Sequence, residues 1–346
     1  DTGASNSDGV THDATPTFTF SNIAADMASL TLVLSNGAEY IIDLSNGNSF
    51  TLPVSLADGV YTATAVITDV AGNTASSPVS FTVDTQLTVP VIDLAEASDS
   101  GRYSTDNITR DTTPAFVLSS IDADVMIAEV LINGTAYPAT KEGGLWGFTA
   151  PVLADGDYSV QVRVTDNAGN TATSVALNMT VDTAINAPVI TLSDDTGTSG
   201  DNQTNDTTPG FAIVTDSDTA TVMVSVDGGV AQAAVQDAAG QWHFTVPSAL
   251  GDGNHSLSVT VTDLAGNSSA NSLDFTIDSQ LSVPTLALNS EDDSGFSNTD
   301  NLTNNTRPTF AIGDIDADVV SVVISLNGKS WPVTISQGAG TFTLPE

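Results

Sequence analysis

Aspartate is the residue of this chain that can do chemistry, by number and by placement. All but six of the 42 acidic residues are Asp, since Glu occurs only at 39, 96, 129, 142, 291 and 346. Glutamate is a good helix former, whereas the short carboxylate of Asp favours turns, where it bonds local backbone or a cation. Carboxylates stand two residues apart in Asp122-Ala123-Asp124, Asp216-Ser217-Asp218 and Asp314-Ile315-Asp316-Ala317-Asp318. Carboxylates gathered within about 5 Å raise one another's pKa and cannot all stay ionised without a cation. Calcium, a hard ion taking six to eight oxygen ligands, resolves that conflict.

Other chemistries fit less well. Asp-Thr-Gly at Asp1 and Asp195 and Asp-Ser-Gly at Asp99 and Asp293 match the aspartic protease tripeptide, but lie in polar loops without flanking apolar strands. The Asp314–Asp318 run imitates the start of an EF-hand loop, yet Val319 replaces its glycine and Ser325 its bidentate Glu. His12, His243 and His255 fall at different repeat positions, so no His cluster for zinc or a triad is suggested, and the absence of cysteine rules out Cys-based zinc and thiol chemistry. No enzyme is expected.

Hydrophobic residues make up 40% of the 346, enough for packed cores, while 6 basic residues against 42 acidic leave a formal charge of −36. Arg102, Arg110, Lys141, Arg163, Arg307 and Lys329 are too few and scattered to neutralise phosphates, which argues against nucleic acid. Without an apolar run of about 18 residues, this segment is not expected to insert into a membrane. It reads as an excerpt that opens and closes inside a repeat.

Thr-Asp-x-Ala-Gly-Asn recurs at Thr68–Asn73, Thr165–Asn170 and Thr262–Asn267, a spacing of 97 residues, and Asp-Gly-x-Tyr/His keeps that interval at Asp58, Asp155 and Asp252. Val/Ile-Asp-Thr/Ser marks Asp84, Asp182 and Asp278, and Phe-Thr-x-Pro blocks end at Pro53, Pro151, Pro247 and Pro345. In the second repeat Val89–Leu94, Ala115–Ile121, Val125–Ile132 and Val175–Val181 read as strands, and Tyr158–Thr165 alternates apolar with polar. Asn133-Gly134 signals a type I′ hairpin, matched by Asn36-Gly37, Asp227-Gly228 and Asn327-Gly328. About seven short strands per repeat, without helical periodicity, predict an all-β fold of tandem immunoglobulin-like β-sandwiches in a linear rod. The expected boundaries are 1–86 (lacking the first strand, A), 87–184, 185–280 and 281–346 (truncated). Asp155-Gly156-x-Tyr158 looks like the tyrosine corner of such folds; His255 in the third repeat leaves that bond open.

The ordered set Asp99-Ser-Gly-x-x-Ser-Thr-Asp-Asn-Ile-Thr-x-Asp-Thr-Thr-Pro114, Thr-Asp-x-Ala-Gly-Asn and Val-Asp-Thr resembles the bacterial Ig-like repeats of giant type I-secreted non-fimbrial adhesins of the SiiE type. The resemblance covers the whole chain. It implies secretion by a Gram-negative bacterium, a cell-surface location and a calcium-stiffened rod.

In sandwiches threaded end to end, the loop after strand A and the end of the last strand share the lower pole, facing two loops at the upper pole of the next repeat. Calcium is therefore expected between Asp1, Asp8 and Asp84 and the opposing Asp122, Asp124 and Asp166, with Asn170. The next junction offers Asp99, Asp106 and Asp182 against Asp216, Asp218 and Asp263, with Asn267. The third offers Asp195, Asp201 and Asp278 against Asp314, Asp316 and Asp318. The competing reading makes these aspartates solvated turn formers, most of all Asp13, Asp111 and Asp206 before the Thr-Pro steps; Asp58, Asp155 and Asp252 are assigned to turns. The leading functional expectation is a calcium-rigidified stalk whose partners are its neighbouring repeats. The alternative is a module binding a host receptor or glycan directly through loops or Trp146, Trp242 or Trp331.

Overall fold

Alternation along Tyr158–Thr165 demands a strand with one face in a core. Gly156–Asp166 is that strand, with Val160, Val162 and Val164 fully buried between part-exposed neighbours. The computed structural model describes residues 1–3, 5–45 and 47–346, and among them every regular element is a strand. They form two compact units, 1–188 with 215–222 and 260–270, and 189–214 with 223–259 and 271–346.

The second repeat lies within the first unit and shows the plan. Its strands are A (Val91–Leu94), A′ (Ile108–Thr109), B (Ala115–Ser119), C (Val125–Ile132), C′ (Thr135–Pro138), E (Leu145–Thr149), F (Gly156–Asp166) and G (Leu177–Val181). One sheet runs Thr140–Glu142, E, B, A; the other runs C′, C, F, G, A′, with A′ parallel to G through Ile108↔Thr180. Ile92, Leu94, Phe116 and Leu118 from the first sheet close on Val130, Val160, Val162, Met179 and Val181 from the second. This is the two-sheet core of a sandwich.

The expected strand Val175–Val181 is shorter in the structure. Ser174 turns inward, accepting the Val162 N–H at 3.0 Å and donating to the Val175 carbonyl at 2.8 Å, so the edge splits into Thr171–Thr173 and Leu177–Val181. Tyr158 donates to the Ala154 carbonyl at 2.8 Å and Tyr61 to that of Ala57 at 3.0 Å, which are tyrosine corners. Asn133-Gly134 has φ of 48° and 82°, as a type I′ turn requires. Asn36-Gly37 differs: only Gly37 is left-handed, at 88°, and the loop closes from Leu34 to Ala38 with one residue more.

The first repeat, also in the first unit, has a five-stranded sheet ordered Val10–Thr11, Thr74–Val83, Gly59–Asp69, Met27–Leu34, Glu39–Ile41. Among the described residues its second sheet pairs Thr17–Thr19 with Ser49–Thr51. In the second unit, Val189–Leu192, Gly210–Val214, Trp242–Thr245 and Val235–Gln236 pair in the same order as their counterparts in the second repeat. Thr285–Leu288, Thr309–Gly313, Ala339–Thr343 and Ile335–Ser336 repeat it again, beside the hairpin Val322–Leu326 with Lys329–Val333.

Candidate metal centres at the junctions between repeats

Three elements carry one carboxylate each to a common point. The strand Thr74–Val83 of the first repeat runs straight into Asp84, the turn before strand C of the second repeat carries Asp124, and Asp166 ends its strand F. One carboxylate oxygen from each lies within 4.8 Å of the others. Asp182, Asp218 and Asp263 form the same triad at the next junction, again inside the first unit. The third member is fully buried in both cases.

Each buried aspartate is held by its own turn. Asp166 accepts the N–H groups of Gly169 at 2.7 Å and Asn170 at 2.8 Å on one oxygen, and the Asn170 side chain at 2.8 Å on the other. The same Asn170 amide donates to the Asp84 carbonyl at 2.9 Å, tying the incoming chain to this loop. Asn267 does so for Asp263 and the Asp182 carbonyl, at 2.9 Å each. In its second and third copies Thr-Asp-x-Ala-Gly-Asn is thus a turn that presents one carboxylate and fastens the preceding repeat.

The charge is not balanced from within. Burial, with Asp124 and Asp166 adding like charge, pushes the Asp84 carboxyl above its ordinary value. Burial together with Asp182 and Asp263 does the same to Asp218. At the third junction, in the second unit, the neighbouring Asp318 carboxylate raises Asp278.

The remaining expected ligands take other places. Asp122, Asp216 and Asp316 accept the linker N–H groups of Thr88 at 2.7 Å, Asn186 at 2.7 Å and Ser282 at 2.6 Å, so they clamp the linkers. Asp1, Asp99 and Asp195 sit in the loops that lead into the short parallel strands Val10–Thr11, Ile108–Thr109 and Gln203–Thr204, where one oxygen accepts the Gly9, Asn107 and Gly200 N–H groups at 3.1, 3.3 and 2.5 Å. Asp8, Asp106 and Asp201 form Asx turns with the N–H of Val10, Ile108 and Gln203 in those same loops. Asp314 occupies a left-handed turn at φ 56° after Thr309–Gly313. Asp13, Asp111 and Asp206 make Asx turns to Thr15, Thr113 and Thr208, each at 2.8 Å.

The second oxygens of Asp99, Asp195 and Asp293 are buried without a hydrogen-bond partner. Burial first, then Asp106 and Asp93, raises the Asp99 carboxyl. A buried carboxylate oxygen lacking any donor is unfavourable unless a cation faces it. Orphaned oxygens, converging carboxylates and nearby carbonyls make an all-oxygen donor set, which fits calcium and not the nitrogen and sulfur sites of zinc.

Sequence reasoning missed a second kind of joint. A Cβ on Gly3 would lie 2.1 Å from the Asn167 carbonyl oxygen, and one on Gly101 would lie 2.0 Å from that of Leu264. The facing Gly169 and Gly266 are equally tight, since their Cβ atoms would meet the Cα of Gly3 at 2.8 Å and of Gly101 at 2.9 Å. Thr2 and Ser100 donate to the Ala168 and Ala265 carbonyls at 2.7 and 2.9 Å, and Arg110 donates to Gly266. The signal was present in the hydroxyl-glycine pair of Asp-Ser/Thr-Gly and the glycine of Ala-Gly-Asn. Only the packed joint reveals that the two loops meet.

Trp146, Trp242 and Trp331 are half-buried, and Trp146 lies beneath Lys141 at 5.3 Å. Among the described residues no helix is long and apolar enough to cross a membrane.

The fibronectin(III)-like modules of CbhA from Clostridium thermocellum are 14% identical over 54% of this chain and 94% of theirs, with TM-score 0.35. A tetra-tandem repeat from the extending region of a large adhesion protein is 18% identical over 97% of this chain and 87% of its own, with TM-score 0.31. A Ca2+-stabilized adhesin described as helping an Antarctic bacterium reach out and bind ice is 21% identical over 96% and 86%, with TM-score 0.32. No curated protein matches the sequence. The bacterial Ig-like domain family matches residues 1–85, 86–183, 184–279 and 280–346, so the sandwiches, their shared turns and this match agree that the chain belongs to that family.

Proposed function

We propose that this chain is an extender segment of a secreted, cell-surface bacterial adhesin, in which calcium held between repeats fixes each joint. It acts as a spacer and not as a catalyst. The observation that carries this reading is the pair of triads Asp84–Asp124–Asp166 and Asp182–Asp218–Asp263, each joining one repeat to the next. Asp278 and Asp318 are the corresponding pair at the third junction. Asp99 with Asp106, and Asp195 with Asp201, would hold further ions in the loops after strand A. A bound calcium would supply positive charge to these oxygens; Asn170, Asn267 and the linker clamps orient the chain around it. The half-buried tryptophans give no support to direct glycan binding.

The test is a calcium titration of the EGTA-treated chain, followed by scanning calorimetry and small-angle scattering. Calcium at a hundredfold above Kd should stabilise by about 2.7 kcal/mol per independent site, and the scattering should sharpen to that of stacked domains. Asp124→Asn with Asp218→Asn should lose the share of the gain that those two junctions contribute, while Asp58→Asn should keep all of it. Melting and scattering that ignore calcium would overturn the proposal.

A further inference from the structure

Each junction aspartate is gripped along its own main chain. The N–H groups of Asp84, Asp182 and Asp278 donate to the Thr11, Thr109 and Thr204 carbonyls at 2.9, 2.8 and 2.9 Å. The carbonyls of Asp84 and Asp182 accept from Asn170 and Asn267. One carboxylate oxygen of each aspartate accepts the N–H two residues on, from Gln86, Ala184 and Gln280. These are Asx turns. The residue directly after the aspartate is the freedom that remains.

That residue is Thr85, Thr183 or Ser279, and at all three junctions it is latched to the Asp-Gly-x-Tyr/His turn of its own repeat. Thr85 donates its N–H and its hydroxyl to one Asp58 oxygen at 3.0 and 2.8 Å. Ser279 does the same to Asp252 at 3.0 and 2.6 Å. The Thr183 hydroxyl faces both oxygens of Asp155, at 2.8 and 3.1 Å. The Ser279 hydroxyl and then its N–H hold the Asp252 carboxyl below its ordinary value, so the acceptor is charged at neutral pH. The turn is closed by another residue, because Tyr61, Tyr158 and His255 reach the Ala57, Ala154 and Gly251 carbonyls. The carboxylate serves the linker instead. Asp122 of the following repeat takes the Thr88 N–H, so the linker Thr85–Thr88 is held at its first residue by one repeat and at its last by the next.

We propose that Asp58, Asp155 and Asp252 are positioning residues for the cation sites at the junctions. Each acts on the residue that follows the junction aspartate and fixes the direction in which the chain leaves it. The carboxylates of Asp84, Asp182 and Asp278 are then held toward the next repeat before an ion arrives. Ordering done in advance raises affinity, because binding no longer has to supply it. This role rests on the calcium reading of the triads.

Calcium titrated into the EGTA-treated whole chain can be followed by NMR at the Asn170 side-chain amide for the first junction and at that of Asn267 for the second. Asp58→Ala should raise the dissociation constant read at Asn170 about tenfold, the lower end of what outer-shell partners contribute to a metal site. The value read at Asn267 should not move. Asp58→Asn removes the same charge but keeps the accepting oxygen, and should bind as the parent does. Thr85→Val leaves the carboxylate in place and should weaken binding at Asn170 by a smaller factor. Without calcium, hydrogen exchange at the Thr85 N–H should be slow in the parent and in Asp58→Asn, and faster in Asp58→Ala. An Asn170 signal indifferent to calcium in the parent would end the calcium reading and this role with it. Parent binding that Asp58→Ala leaves unchanged, or that Asp58→Asn weakens as much as Asp58→Ala, would overturn the latch alone.

Discussion

His255 shows how one residue can replace another while changing the physics. It stands where Tyr61 and Tyr158 stand, and Nε2 keeps the corner bond by facing the Gly251 carbonyl at 2.8 Å. Nδ1 faces an Asp227 carboxylate oxygen at 2.7 Å. Both partners are acceptors, and only the imidazolium carries two N–H donors. Burial opposes the charge, but the Asp227 and Gly251 bonds outweigh it and hold His255 above its ordinary value of 6.5. Asp201 and Asp274 line the same cavity and add no positive charge. A raised folded pKa gives stability that is complete below the unfolded value and is lost as pH rises through the folded value. Denaturation read from Trp242, with the other tryptophans changed to Phe, should therefore show the third repeat weakening as pH rises from 5 to 9. His255→Tyr should flatten that slope; an unchanged slope would show that His255 is not its source.

At the scale of elements, the joints combine two devices of different chemistry. The carboxylate triads set like charges against one another, whereas the glycine contacts and hydroxyl bonds carry no charge. Gly101→Ala tests the second device alone, because its Cβ would enter the Leu264 carbonyl and its φ of 116° disfavours any side chain. Strain of this kind is worth about 1–3 kcal/mol. The expected result is a loosened joint between the second and third repeats, seen as diverging residual dipolar couplings with calcium present, while each sandwich keeps its own spectrum. Couplings that still fit one alignment tensor would show that the contact does not set the joint. Strand content was legible from alternation and from Asn-Gly turns. The break at Ser174 was not, because an inward hydroxyl is decided by the partner it finds on strand F.

Across the whole molecule, self-repulsion works against the fold. A net −36 over 346 residues opposes compaction. Raising salt from about 0.01 to 1 M shortens the screening length from roughly 30 to 3 Å. The calcium-free chain should then melt higher in calorimetry, with a smaller rise when calcium is bound; a melting point indifferent to salt would mean that local contacts carry the stability. Composition, the 97-residue period and the strand alternation were enough to determine an all-β chain of tandem sandwiches with acidic poles, since period and polarity are local properties of a sequence. Which aspartates meet was decided only in three dimensions. Asp122 and Asp124 are two residues apart, yet one clamps the linker N–H of Thr88 and the other joins Asp84 and Asp166. Spacing puts both carboxylates in one turn; the direction each takes depends on the donor or charge that the neighbouring repeat brings to it. The Gly3–Gly169 and Gly101–Gly266 contacts follow the same logic, because closeness between loops distant in sequence exists only once the sandwiches have packed.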